Sequence, residues 1–221
     1  MDIEVNDEGG AIQSIRLDDG GMNIFTLEAA ARLDAALLEA EQTDAVNTLV
    51  LSGRDDALSV GLDTETVLAG DDRAGQLIAL MGGILARLYL GPLRSVVIGR
   101  GHATAAGAML LMVADHRIGI EGPGKIGLSE VKYGLDVPVP TQQLVRDRID
   151  TRFQYAATAG ARLFDTAGAL QAGFLDETAP DPQAAKERAL AAAVRLSALP
   201  DAGYLETKRS MRRDFARLYE R

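Results

Sequence analysis

The chain has 221 residues, 47% of them hydrophobic, a formal net charge of -9 and no cysteine. Its length and apolar content suffice for one domain with a full core. The acidic balance argues against a nucleic-acid partner, since affinity for a phosphate backbone grows with Lys and Arg contacts, and the missing cysteines exclude a disulfide framework and a thiolate nucleophile.

The N-terminus, M-D-I-E-V-N-D-E-G-G, lacks the basic-then-apolar pattern of a signal peptide. The longest apolar run, Ala103 to Ala114, is far short of the roughly 20 residues that span a bilayer. A soluble cytoplasmic protein with no membrane partner is therefore expected. The chain opens with two short strand candidates, Ile3 to Val5 and Ala11 to Leu17, separated by an acidic Gly-Gly turn and closed by Asp18-Asp19-Gly20-Gly21. Thr26 then reads as a helix N-cap, with Glu28 in the first turn and Leu27, Ala30, Ala31, Leu37 and Leu38 on one face. A buried strand follows at Val46 to Leu51.

Ser52 to Asp63, S-G-R-D-D-A-L-S-V-G-L-D, is a loop that leads into a short helix, Thr64 to Leu68. Gly61 permits a backbone conformation strained for other residues, so that the Leu62 N–H can face a site at a helix start. Taken locally, this is a surface connection between strand and helix. The functional reading gains weight because the layout of strand, small-residue turn and helix recurs at Ala103 to Ala108. Between the two turns, Leu77, Leu80, Met81, Ile84, Leu85 and Leu88 give the clearest helical period in the chain, a stripe for core or subunit packing. Gly91-Pro92 stops that helix, and strands at 95 to 99 and 116 to 120 imply, with 46 to 51, an α/β sheet of repeated strand-strand-helix units.

The stretch from Gly99 to Pro140 carries the chemistry. Its tiny residues beside a strand end let a ligand approach the backbone, and successive N–H groups opening a helix make a site for negative charge. Its second half places one carboxylate, Glu130, among Ile126, Leu128, Val131 and Leu135, an apolar setting that raises a carboxyl pKa. A donor-rich wall followed by one isolated acid suggests an enzyme that stabilises an oxyanion and moves a proton. No His, Asp and Glu spacing reads as a metal site, and Ser59 and Ser129 lack the His and Asp of a serine nucleophile. Asp115 and Arg117 read as a structural ion pair or turn anchor. His116 reads as facing solvent or a neighbouring strand, and His102 as packing near the pocket.

Four ordered blocks, A-L-S-V-G-L-D, G-H-A-T-A-A-G-A-M-L with D-H-R-I, I-G-L-S-E-V-K-Y-G-L-D-V-P and L-F-D-T-A-G-A-L-Q-A-G-F-L-D-E, resemble the crotonase, or enoyl-CoA hydratase/isomerase, superfamily over about residues 11 to 177. The resemblance implies a spiral of repeated ββα units over residues 1–177, a C-terminal helical trimerisation or lid region over 178–221, and a homotrimer or dimer of trimers. It implies an acyl-CoA substrate, with coenzyme A present as part of the substrate and no permanently bound cofactor. By position, the backbone N–H groups of Leu62 and Ala106 hold the thioester oxygen, while Ser59, Gly61 and Asp63 line the CoA channel. The family often has Ala at Val60 and Gly at Ala106, and neither departure removes a main-chain donor.

Family hydratases carry carboxylates at two positions; one falls on Glu130, the other on Met109, whose thioether exchanges no proton. One acid suits a Δ3-Δ2-enoyl-CoA isomerase, in which the carboxylate takes a proton from C2 and returns it at C4. A hydratase or other crotonase-type activity such as a thioesterase, and a catalytically silent oligomeric binding protein, are the competing readings. The C-terminal tail, helical from Pro182 to Leu199 and from Asp201 to Tyr219, carries Lys208, Arg209, Arg212, Arg213 and Arg217. Such a run is usually a solvated face, but the resemblance makes Lys208 a candidate for the CoA phosphates across a trimer interface.

Overall fold

A computed structural model describes residues 1–219. β1 (Asp2–Gly9) and β2 (Ile12–Asp18) form an antiparallel hairpin whose turn glycines, Gly9 and Gly10, lie at φ 92 and 62, where a Cβ would be strained. β3 (Ile24–Phe25) leads into α1 (Leu27–Gln42), capped as expected by Thr26, whose hydroxyl oxygen accepts the Ala29 N–H at 3.2 Å. The buried face of α1 is Ala29, Ala30, Leu33, Leu37 and Ala40, rotated from the expected one. Ala31 and Leu38 point outward because the elements that α1 packs on, foremost the helix at Asp72–Leu90, select the Leu33 and Leu37 face.

β4 (Thr48–Ser52), β5 (Ala57–Ser59) and β6 (Gly61–Leu62) precede α2 (Thr64–Ala69) and α3 (Asp72–Leu90). The α3 stripe is as expected: Leu77, Met81, Ile84, Leu85 and Leu88 are buried, with Leu80 partly so. β7 (Arg94–Gly99), β8 (His102–Thr104), α4 (Ala106–Val113), β9 (His116–Ile120) and β10 (Ile126–Gly127) follow, then a 3-10 turn at Glu130–Tyr133 and α5 (Val139–Arg148). The chain continues through α6 (Gln154–Ala157), α7 (Thr166–Ala172), β11 (Glu177–Ala179), α8 (Pro182–Ser197), α9 (Asp201–Met211) and α10 (Arg213–Ala216).

The main sheet runs β1-β2-β4-β7-β9-β11, parallel from β2 onward, and a smaller parallel sheet runs β10-β8-β5. The strand period of two assigns each side chain to a face. Ile15, Leu17, Leu49, Leu51 and Val97 meet α1, α3 and α4 in one core. Ile12, Val50, Val96 and Ile98, the alternate positions, meet Ala185, Ala189, Ala192 and Ala193 of α8 in the other. Every residue of α4 is buried, so this helix is apolar all round and its N-terminus is fixed at the centre of the molecule. Among the described residues, no helix is long and apolar enough to cross a membrane.

The tail keeps Arg209, Arg213 and Arg217 exposed as expected, but two of its basic residues depart from that face. Lys208 and Arg212 are buried and grip Asp115 at 3.0 and 2.6 Å, while donating also to Leu93 O and Tyr89 O. Arg94, 1% exposed, ties the same region down through Leu199 O and Asp201. Arg117 pairs not with Asp115 but with Asp176 at 2.6 Å, and His116 faces Glu177 of the neighbouring strand β11 at 2.7 Å.

Candidate active site

A cleft of about 650 Å³ opens where three segments meet: residues 60–67, the turn from His102 to Met109, and residues 129–135. The first segment lies along β3. Met22 O accepts the Val60 N–H at 3.1 Å and Phe25 O accepts the Asp63 N–H at 2.9 Å. The Gly61 N–H is bound to Ser59 Oγ at 3.0 Å. The Leu62 peptide lies between these anchors, with residues 104–106 at its side. That side is close: a Cβ on Gly61 would stand 2.9 Å from Ala105 Cβ and 3.5 Å from the Ala106 nitrogen, and Gly61 itself sits at φ 112. Thr104 Oγ1–H donates to Val60 O at 3.2 Å and bridges the two segments.

The second segment ends at the start of α4. Ala105 holds φ 49 and ψ -120 with no side-chain cap, a region that costs a non-glycine residue about 1–3 kcal/mol and persists only where the surroundings over-determine it. The consequence is that Ala106 is the first residue of a helix whose opening N–H groups have no intrahelical acceptor. The close packing of this turn needs Gly107, where a Cβ would fall 2.1 Å from Ser59 O. Leu62 and Ala106, the two expected donors, thus line one cleft from opposing turns.

The third segment brings the acid. The 3-10 turn beginning at Glu130 is stopped by Gly134 at φ 75, and the Leu135 N–H donates back to Glu130 O at 3.1 Å. Glu130 lines the cleft with its Oε2 buried and without a hydrogen-bond partner. Burial raises its pKa above the ordinary 4.5, partly offset by hydrogen bonds from its own N–H and that of Ser129. A buried carboxylate oxygen with nothing to bond is costly and is expected where a ligand or a proton completes it. Met109 is 8% exposed on the cleft wall, its sulfur accepting from Thr141 Oγ1 at 3.4 Å. The other cleft carboxylates are placed differently: Asp63 caps α2 through Thr66, and Glu65 is exposed in that helix's first turn.

Two expected ligand contacts lie elsewhere. Ser59 is fully buried and its hydroxyl is used inside the fold, donating to Asn23 O at 2.6 Å. Lys208 lines a separate cavity of about 300 Å³ with Asp115, Tyr204 and Arg212, where burial pushes its pKa down to about 8 against the pull of Asp115. Asp63 does line the cleft, whereas Gly61 is buried and, contrary to expectation, is not one of its lining residues. The cleft also contains His102, Lys125, Lys132 and Tyr133. Of these, Lys132 and Tyr133 were legible only as neighbours of Glu130 on the same turn.

Comparison with known proteins bears on this arrangement. Residues 7–220 match the family model described as enoyl-CoA hydratase/isomerase. The human mitochondrial enoyl-CoA delta isomerase 1 is 29% identical over 216 residues, covering 94% of this chain and 69% of that protein. A putative enoyl-CoA hydratase of Thermus thermophilus is also 29% identical, over 86% of this chain and 77% of that protein. Among solved structures, human mitochondrial delta3-delta2-enoyl-CoA isomerase superposes with a TM-score of 0.92 at 27% identity, covering 99% of this chain and 86% of that one. A probable enoyl-CoA hydratase of Mycobacterium tuberculosis gives 0.90 at 29% identity, covering 96% and 89%.

Proposed function

The chain belongs to the enoyl-CoA hydratase/isomerase family, of crotonase fold, and we propose that within it the chain is a Δ3-Δ2-enoyl-CoA isomerase. The thioester oxygen of a 3-enoyl-CoA accepts the N–H groups of Leu62 and Ala106. Glu130 takes a proton from C2, the negative charge spreads through the dienolate onto that oxygen, and Glu130 returns the proton to C4. The double bond moves into conjugation with the thioester, with no net gain or loss of atoms. Each oxyanion donor contributes about 3–4 kcal/mol of transition-state stabilisation, and a positioned base about 10²–10⁴ in rate.

The single observation behind isomerisation rather than hydration is the cleft's acid content. One unpartnered carboxylate, Glu130, lines it, with a thioether, Met109, one turn along α4 from Ala106 at the position of the second acid. Water addition across a double bond needs a base for the water and an acid for the carbon, and no second buried carboxylate lines the cleft among the described residues. The relatives include proteins named both isomerase and hydratase, so the choice rests on this chemistry. A homotrimer or dimer of trimers belongs to the same reading, supported by the exposed apolar Val131 and Tyr155, which line one surface cavity apart from the cleft. Incubation with 3-enoyl-CoA and with 2-enoyl-CoA, followed by product analysis, tests it. The 3-enoyl substrate should be conjugated and the 2-enoyl substrate left unhydrated; 3-hydroxyacyl-CoA as the main product would assign the hydratase instead.

A further inference from the structure

The segment that presents Leu62 is held from behind by a chain of polar groups outside the cleft, of which Asn23 and Ser59 are fully buried. Asn23 is 0% exposed and sits at φ 56, a conformation that asparagine tolerates better than most side chains. Its amide is fully used: Oδ1 accepts the Asp19 N–H at 3.0 Å, and Nδ2 donates to Leu17 O, Ala57 O and Leu58 O at 3.0, 3.1 and 3.2 Å. Asp19 in turn accepts the N–H groups of Asn23 and Ile24 at 2.9 and 2.8 Å. The Asn23 carbonyl, fixed in this way, accepts the Ser59 hydroxyl at 2.6 Å, and the same Ser59 oxygen accepts the Gly61 N–H at 3.0 Å.

A hydroxyl has one hydrogen, so the direction of this relay is set: Gly61 donates to Ser59, and Ser59 donates to Asn23. With Asp63 N–H committed to Phe25 O, the amides on both sides of Leu62 are anchored, one to the Ser59 hydroxyl and the other to β3. The direction of the Leu62 N–H is therefore set by its two anchored neighbours. A misplacement of about 1 Å at such a donor is enough to lose on the order of 10²-fold in rate.

We propose that Ser59 and Asn23 are positioning residues for the reaction, acting through Gly61 to aim the Leu62 N–H at the thioester oxygen; this rests on the oxyanion reading given above. Ser59 thus has a role in turnover without meeting the substrate. The relay also accounts for a fully buried serine and a left-handed asparagine converging on one peptide, which packing alone does not require.

The test compares wild type with Ser59→Ala, and with Ser59→Cys, which keeps a side chain of similar size and weakens both hydrogen bonds. Three quantities are read: kcat on 3-enoyl-CoA, affinity for CoA lacking an acyl group, and the infrared carbonyl stretch of a bound, unreactive saturated acyl-CoA labelled with ¹³C at the thioester. In wild type the stretch should move to lower frequency on binding, which reports polarisation by the two N–H groups. Ser59→Ala should reduce that movement and lower kcat by about tenfold, with CoA affinity unchanged, and Ser59→Cys should fall between. An unchanged carbonyl shift and kcat in folded Ser59→Ala overturn the relay while leaving the oxyanion reading intact. Loss of CoA affinity in step with kcat also overturns it, since that marks general loosening of the cleft. Absence of any shift in wild type sinks the oxyanion reading itself. Should Ser59→Ala not fold, Ser59→Cys is measured in the same three ways, and a carbonyl shift and kcat equal to those of wild type overturn the relay there too.

Discussion

Replacing Gly61 by alanine puts the two-turn geometry under direct strain. At φ 112 an L side chain is disfavoured, and the new Cβ would stand 2.9 Å from Ala105 Cβ, with the Ala106 nitrogen and Thr104 O both 3.5 Å away. The backbone strain costs about 1–3 kcal/mol, which at about 2–4 °C per kcal/mol for a chain of this size lowers Tm by several degrees without unfolding the protein. The methyl relieves its clash only by pushing residues 60–62 away from residues 104–106, and this widens the gap between the Leu62 and Ala106 donors. Losing one oxyanion donor costs about 2.7–4 kcal/mol, or 10²–10³ in kcat. The assay follows the ultraviolet absorbance of the conjugated thioester formed from 3-enoyl-CoA, with circular dichroism to establish that the variant is folded. A folded Gly61→Ala whose kcat stays within about threefold of wild type would refute the reasoning, since that leaves less than 1 kcal/mol for the displaced donor. Gly107→Ala is the contrasting case: its Cβ would fall 2.1 Å from Ser59 O, so it should fail by unfolding.

Three further outcomes follow from the same geometry. Glu130→Gln should raise Tm at neutral pH: because burial raises the Glu130 pKa in the folded state, ionising it costs stability, and that cost is absent below the unfolded-state pKa and grows as pH rises through the folded one. The Tm difference from wild type should therefore shrink as the solution is acidified, while kcat/KM of wild type rises along an acid limb centred above 4.5. Met109→Glu puts a second carboxylate on the cleft wall and should confer measurable hydration of 2-enoyl-CoA, read as 3-hydroxyacyl-CoA, together with a further rise in the Glu130 pKa from like-charge repulsion. Burial would raise the Asp115 pKa, but Lys208 and Arg212 outweigh it and hold the carboxyl ionised. Asp115→Asn strands two buried cations and should cost about 3–5 kcal/mol in chemical unfolding, whereas Lys208→Met leaves the Arg212 pair, costs less, and should not change CoA affinity.

What could be read from the sequence was local. The α3 stripe, the Thr26 cap and the strands at 46–51, 95–99 and 116–120 follow from period and capping, and the two small-residue turns, with the resemblance, pointed to Leu62 and Ala106, which the fold brings to one cleft. Glu130 stood out through the resemblance; of its apolar sequence neighbours Ile126 and Leu128 are buried but Val131 is exposed, so its unpartnered oxygen comes from the assembled cleft rather than from that pattern. The errors share one cause, which is pairing across long separations. Lys208 looked like a surface charge because its partner Asp115 lies 93 residues away. Ser59 looked like a cleft residue because Asn23, which takes its hydroxyl, is 36 residues upstream. Asn23 itself gave only the weak signal of an asparagine after two glycines, since its left-handed backbone and four side-chain bonds exist only once β2 and β5 are assembled around it. On α1, Leu33 rather than Leu38 faces inward because the face is selected by the elements it packs on, α3 foremost, and not by the helix's own composition.

The central claim is that Glu130 alone carries the proton from C2 to C4. Measuring kcat on 3-enoyl-CoA for wild type and Glu130→Gln tests it most directly. Wild type should convert that substrate to the conjugated 2-enoyl thioester and the variant should fall by about 10²–10⁴, with affinity for CoA retained. A wild type that leaves the 3-enoyl substrate untouched, or a Glu130→Gln variant that turns it over as fast, would contradict it.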